Sequence, residues 1–243
     1  MFDALRRMIS GSADDADWSP WVQWAKTRGA QFKRSRTKDG FVVEGVPDAR
    51  PWRLEWGPPQ RSYIAGHELR LRMELGLPQD LNLLVLSRPL MESLEASAFE
   101  RVTAQTQTHI DDAMPEEMRW LAMLPKAQVA ADKAFRQRFG VVAVAAQAAA
   151  VWVEGPLAAR LGEAACGPLA ADPPFVLMTL RGRLYLRLQL DVPQVETLSA
   201  MLDVFEIAAA RAELAAGGVT DTPGPSTSTT AWQTQLTPHD LER

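Results

Sequence analysis

Hydrophobic and polar positions alternate most strictly in Trp52–Leu75, and the rest of the chain is read around that stretch. Trp52, Leu54 and Trp56 alternate with Arg53 and Glu55. Leu69, Leu71, Met73 and Leu75 alternate with Glu68, Arg70, Arg72 and Glu74. Successive strand side chains point to opposite faces, so both runs predict strands with one buried and one wet face. The turn-rich Pro58-Pro59 between them predicts an antiparallel pair. The wet face carries both signs of charge. Opposite charges facing each other across strands contribute roughly 0.2–1 kcal/mol each and help to fix the register.

Other strands follow from the same alternation. Gln31–Lys38 and Phe41–Val46 flank Asp39-Gly40 and predict a hairpin. Lys33, Arg34, Arg36 and Lys38 mark its first strand as a solvated edge. Leu81–Leu86 is short and apolar throughout, and it is read as the fifth strand of an antiparallel meander.

Helical spacing takes over elsewhere. Ser19-Pro20 predicts a helix start with Ser19 as N-cap, and Gly29 a helix end. Trp18, Trp21 and Trp24 at this helix are read as core. Pro89–Thr108 places Leu90, Leu94, Ala98 and Val102 on one face, suited to covering the apolar side of the meander. Glu116–Leu124 reads as a short helix.

Beyond Val129 the chain turns rich in Ala and Val. Ala130–Arg138 predicts a helix and Phe139–Ala145 a buried strand. Ala148–Val153 and Leu157–Ala165 predict helices separated at Gly155-Pro156. A right-handed crossover is expected if the strands on either side of these helices are parallel neighbours. Phe175–Leu180 and Leu184–Leu190 predict a hairpin across Arg181-Gly182. Leu184, Leu186, Leu188 and Leu190 point to the core, and Arg183, Tyr185, Arg187 and Gln189 point away. Asp191–Gln194 reads as a capping box opening a helix to Gly217-Gly218, with Val195, Leu198, Leu202, Phe205 and Ala209 buried.

The fold class is therefore α+β: an N-terminal antiparallel β-meander covered by helices, then a β-α-β-β-α unit. Whether the two sheets join is left open by the pattern. The organisation reads as an arm and linker (1–17), a meander subdomain (18–125), a second subdomain (126–218) and a polar, flexible tail (219–243).

Composition narrows the function classes. The 243 residues carry a net charge of −4, which argues against nucleic acid as the main partner. Lysine supplies only five of the 26 basic residues, and this arginine bias suggests a GC-rich bacterial coding sequence. One cysteine, Cys166, excludes an intrachain disulfide and a thiolate metal cluster. It falls at a predicted helix end, which offers no positive dipole to activate a thiol, and is read as a bystander. The N-terminus lacks the apolar core of a secretory signal, and a cytoplasmic location is expected.

No residue set announces an enzyme. His67-Glu68 lies near Arg61 and Tyr63, yet adjacent strand residues face opposite ways. A hydrogen-bonded histidine at a strand end is the favoured reading. His109, Asp111 and Asp112, with Glu116 and Glu117 nearby, have ligand types suited to a divalent metal but match no known loop. The set is read as a solvated acidic connection. His67, His109 and His239 are too scattered to nominate a triad. Hence no catalytic, metal or cofactor site is expected.

Residues 135–188 bring a resemblance. Phe135, the Phe139-Gly-Val-Val run, Ala148, Pro156-Leu157, Leu161 and Arg181-Gly-Arg-Leu-Tyr-Leu186 look like the ordering in an uncharacterised bacterial domain-of-unknown-function family, several members of which are membrane-associated. Where that family has an acidic pair, this chain has Ala146-Gln147. The resemblance implies a fold and no chemistry.

Three functional readings follow. The favoured one is a non-catalytic cytoplasmic protein-interaction or accessory module with a protein partner. Its contact surface would comprise Arg53, Glu55, Arg70, Arg72 and Glu74, together with Trp232 and Leu236 on the tail. The second is a peripheral membrane protein, held by an amphipathic segment at residues 1–9 with Phe2, Leu5 and Ile9 on one side. The third is a metal-dependent or hydrolytic enzyme at His109–Glu117 or His67. Oligomeric state leaves no mark in the sequence.

Overall fold

A computed structural model describes residues 17–35, 39–45, 50–104 and 114–220. The arm at residues 1–9, His109, Asp111, Asp112, His239, Trp232 and Leu236 lie outside them.

The first helix, α1 (Ser19–Thr27), is entered through Asp17, whose carboxylate accepts from the Ser19 N–H at 3.0 Å. The expected cap therefore shifts. Trp18 holds the N-cap position without a side-chain bond, and Ser19 is already helical. Four strands follow, β1 (Gln31–Arg34), β2 (Phe41–Glu44), β3 (Trp52–Gly57) and β4 (Glu68–Glu74), each antiparallel to the next.

The first hairpin is wider than an Asp39-Gly40 turn. Arg34 pairs with Phe41, and the Ser35 N–H donates to the Gly40 carbonyl at 2.9 Å. Gly40 answers a different need, because a Cβ there would sit 2.1 Å from the Trp56 carbonyl oxygen. Overpacking against fixed backbone costs about 1–3 kcal/mol. Gly40→Ala is expected to lose that much stability in urea unfolding, and an unchanged midpoint would contradict so close an approach.

The remaining elements are β5 (Leu83–Ser87), α2 (Arg88–Ala104), α3 (Glu116–Met123), α4 (Lys133–Arg138), β6 (Phe139–Ala143), α5 (Ala146–Val153), α6 (Pro156–Ala165), β7 (Phe175–Leu180), β8 (Arg183–Gln189) and α7 (Val195–Thr220). All eight strands form one antiparallel sheet in the order β1-β2-β3-β4-β8-β7-β5-β6. The sheets of the two halves are thus continuous through the β4–β8 pair.

This order corrects the place of β5. It does not extend the meander but lies between β7 and β6. Its residues explain the move: Leu83 and Val85 enter one hydrophobic cluster, Leu84 and Leu86 the other. A strand apolar on both sides loses that burial unless both faces are covered. Helix α2 also departs from expectation. Leu90, Met91 and Leu94 pack with Leu84, Leu86, Val142 and Met178, on the sheet face opposite the meander's buried side.

The meander's apolar side is instead covered by α1 and α7. Trp24 Nε1 donates to Ser199 Oγ at 2.8 Å, and Trp21 Nε1 to the Pro193 carbonyl at 2.5 Å. The three tryptophans serve the core, as expected. Trp18 and Trp21 pack beside Phe32 and Phe41, which stack 5.3 Å apart. On the same layer Trp152 is fully buried and donates to the Ala208 carbonyl at 3.0 Å.

Three local expectations change. Helix α4 begins at Lys133 because the Asp132 carboxylate accepts from the Phe135 N–H at 2.6 Å. Strands β6 and β7 flank β5, each antiparallel to it, so they are not the parallel neighbours that the crossover rule addresses. The capping box at Asp191 is not formed. Its carboxylate turns to the His67 N–H at 3.4 Å, and α7 starts at Val195. Gly66, with φ of +69°, leaves room for that carboxylate. The β7–β8 turn holds: Arg181 and Gly182 both have positive φ, 51° and 79°, as a two-residue hairpin turn requires.

Candidate functional site

The two faces of the sheet are treated differently. Helices cover one face along the strands from β2 to β6. On the other, α2 and α3 cover β5, β6 and β7, while polar residues fill the face of β1–β4 and β8. That second region is the charged face read from the alternation.

Backbone register brings its side chains together. Glu55 stands opposite Arg70, and Glu74 opposite Arg183. The first is a cross-strand pair of the kind expected between β3 and β4, and the second comes with the β8 neighbour. The register also sets Arg53 opposite Arg72, and Arg70 opposite Arg187. Like charges directly opposed destabilise a sheet, so the acids must work on both sides. They do. Glu55 accepts from Arg53, and from Arg70 at 3.1 Å. Glu68 accepts from Arg70 at 3.2 Å and Arg187 at 2.5 Å.

The chain of pairs runs further, through Glu44, which is 2.6 Å from Arg53 and 2.6 Å from Lys33. A continuous network of alternating charge thus crosses the strands from Lys33 to Arg187. Arg70 is tied at a third point, since its guanidinium also donates to the Pro58 carbonyl at 2.8 Å. Its side chain is only 16% exposed.

The wet-face reading of Glu68 is corrected, because Glu68 is fully buried. The β3–β4 connection folds over it, and the Gln60 N–H donates to its carboxylate at 2.6 Å. A buried carboxylate needs such partners because its desolvation is otherwise uncompensated.

A second buried acid braces the same connection. Glu117, on α3, is fully buried and accepts from Arg61 at 2.7 Å and from the Tyr63 hydroxyl, both at one oxygen, Oε1. Burial raises its pKa, but the Arg61 and Tyr63 hydrogen bonds outweigh it and hold the carboxyl below its ordinary value. Burial and the Glu117 charge push the Tyr63 phenol well above its ordinary value, so it stays a neutral donor. Arg61 and Tyr63 therefore do not serve His67. That imidazole stacks on Trp56, centroids 4.4 Å apart and planes at 8°. It is a packed residue at a strand start, and its backbone carries the hydrogen bonds.

Glu116 and Glu117 are both engaged in ion pairs, Glu116 with Arg119. Among the described residues no group of His, Cys, Asp and Glu has metal-binding geometry. Cys166 is exposed at the end of α6.

Between the network and the folded-over connection lies a cleft of 190 Å³, lined by Arg53, Glu55, Gln60, Arg70, Arg72, Tyr185 and Arg187. Burial raises the Glu55 carboxyl, and Arg53 and Arg70 overcome it, so the pKa falls and Glu55 is ionised at neutral pH. The cleft holds no nucleophile beside a general base. It presents fixed guanidiniums and ionised acids, a surface suited to ionic recognition.

Of the expected contact residues, the fold unites Arg53, Glu55, Arg70 and Arg72 at the cleft, with Glu74 at its outer end beside Arg183. Gln60, Tyr185 and Arg187 were not foreseen there. Period two points Tyr185 and Arg187 away from the core, without saying which strand they meet. Nothing local to β8 announces that β4 is its neighbour.

The protein defined so far is an α+β protein with one open, ionic sheet face. No family model matches the chain, and no curated protein matches it. Among solved structures it is similar to the crystal structure of the mycobacterial trehalose monomycolate transport factor A, TtfA, with a TM-score of 0.40 and 10% identity. The match covers 78% of this chain and 90% of that one. A likeness at that level transfers nothing to this chain. No helix of the described residues is long and apolar enough to cross a membrane.

Proposed function

We propose that the chain is a non-catalytic interaction module that binds a protein partner on the open face of β3, β4 and β8. The observation that carries this reading is the unequal covering of the sheet. Two helices shield the second face over β5–β7, whereas over β3, β4 and β8 it is dressed with an ordered ionic network beside a cleft. A network of paired side chains is pre-organised, and pre-organisation lowers the entropic cost of binding. Charge on such a face selects partners and speeds encounter more than it adds affinity. A cytoplasmic setting, at or away from the inner membrane, belongs to the same proposal.

The test is capture from a native lysate with the tagged full chain, its Arg72→Glu variant, and Lys26→Glu as a control. Lys26 is exposed on α1, which packs on the opposite side of the sheet. The expected result is a partner recovered in stoichiometric amount by the wild type and the Lys26 control, and reduced at least about tenfold by the Arg72 charge reversal. Equal recovery by all three would remove the open face from the reading.

A further inference from the structure

The cations of the open face are not alike. Lys33, Arg53, Arg70, Arg183 and Arg187 each contact a carboxylate. Arg61, nearby, is held by Glu117. Arg72 differs: it is exposed, lines the cleft, and among the described residues has no ion-pair or hydrogen-bond partner on its side chain.

Its place in the register makes this costly. Arg72 stands directly opposite Arg53 on one side and Tyr185 on the other. Directly opposed residues have their Cβ atoms about 4.5–5.5 Å apart, where like charges destabilise the pair. Arg53 is neutralised by Glu44 and Glu55, but among the described residues no acid of the sheet reaches Arg72. Glu74, two residues along on the same face, is taken by Arg183 at 2.6 Å. The acids Glu44, Glu55 and Glu68 therefore leave the cleft with surplus positive charge, on a chain whose net charge is −4.

We infer that Arg72, with Arg53 and Arg187 beside it, is the seat for a carboxylate side chain from an acidic segment of the protein partner. This rests on the interaction-module reading above and gives it a chemistry. A guanidinium binds a carboxylate through two parallel hydrogen bonds, which fixes direction as well as adding strength. The cleft volume of 190 Å³ suits a side chain rather than a polymer. Nucleic acid and anionic bilayers fit less well. Both present phosphates along a continuous backbone or surface, whereas a cleft of this volume takes one side chain at a time.

The probe is an end-capped, fluorescein-labelled hexaglutamate peptide, titrated against the full chain and followed by anisotropy at low ionic strength. Hexalysine serves as the opposite-charge control. The expected result is saturable hexaglutamate binding that weakens with added salt. Binding weakens about tenfold or more in Arg72→Ala, is unchanged in Lys26→Ala, and is not reproduced by hexalysine. No hexaglutamate binding, or binding indifferent to Arg72→Ala, overturns the inference. Binding to phosphatidylglycerol vesicles without binding to hexaglutamate overturns it as well. Such a failure, with capture of a partner still sensitive to Arg72→Glu, sinks the carboxylate seat and leaves the interaction module standing. Loss of both sinks the module.

Discussion

Replacing Glu68 by alanine is expected to cost about 3–5 kcal/mol of folding stability, the range for breaking a buried ion pair from one side. Glu68 is fully buried and joins the Arg70 and Arg187 guanidiniums to the Gln60 backbone. Arg70 keeps Glu55 and the Pro58 carbonyl when Glu68 is removed. Arg187 keeps nothing of the kind: its side chain is 13% exposed, and Glu68 is its only ion-pair partner among the described residues. The cost should therefore fall mainly on a stranded Arg187. A double variant separates that account from a simple loss of packing. Glu68→Leu with Arg187→Met removes both charges, and it is expected to recover most of the stability lost by Glu68→Ala in urea unfolding. A double variant as unstable as the single one would show that the loss lies elsewhere.

Removing the Glu117 carboxylate is the second large effect, and it carries a pH signature. Glu117→Ala leaves the half-buried Arg61 and the Tyr63 hydroxyl without their shared acceptor and detaches the β3–β4 connection from α3. A loss of about 3–5 kcal/mol is expected, by the same reasoning. The sign of the pH dependence follows from the depressed pKa. The folded-state value lies below the ordinary 4.5 of an unfolded chain, so the unfolded state takes up the proton first on acidification. The stabilisation is fully present above the unfolded pKa and is lost as pH falls through the folded one. Wild-type stability should therefore decline below about pH 4.5, and the decline should be shallower in Glu117→Gln, where the group no longer titrates. Glu44 and Glu55 are also held below their ordinary values, Glu44 by Lys33 and Glu55 by its arginines against burial, so part of the decline remains. A Glu117→Gln profile parallel to the wild type would contradict the assignment.

What the sequence made legible, and what it did not, divides along the range of the interaction. Strict alternation placed β3 and β4 within a residue, because a one-residue slip would turn Leu54 and Leu71 to the open face. Arg181-Gly182 specified its turn through backbone conformation alone. These are local effects. The neighbour of β4 is β8, far downstream, and the pairing is carried by face complementarity that many strands share. β5 was misplaced for the same reason. Its connection to β4 is short, and only the two-sided burial of Leu83–Leu86 demanded the doubly covered half of the sheet.

The site was half legible. Arg53, Glu55, Arg70, Arg72 and Glu74 share one face by period alone. That Glu68 leaves the wet set depends on the fold-over of residues 58–67, which no periodicity encodes. Sequence order places Glu117 in an acidic run with His109, Asp111 and Asp112. Its partners are Arg61 and Tyr63, which sequence order places beside His67. Sequence adjacency suggested both groupings, and tertiary packing overrode both.

The most direct measurement for the central claim is covalent labelling of arginine side chains in the captured complex and in the isolated chain. Phenylglyoxal should modify the exposed Arg72 readily in the isolated chain. If the open face is the binding surface, Arg72 and Arg53 become protected in the complex, while Arg28, exposed beside Trp24 on α1, reacts equally in both. Equal modification of Arg72 in the two states, with protection elsewhere on the molecule, would contradict it.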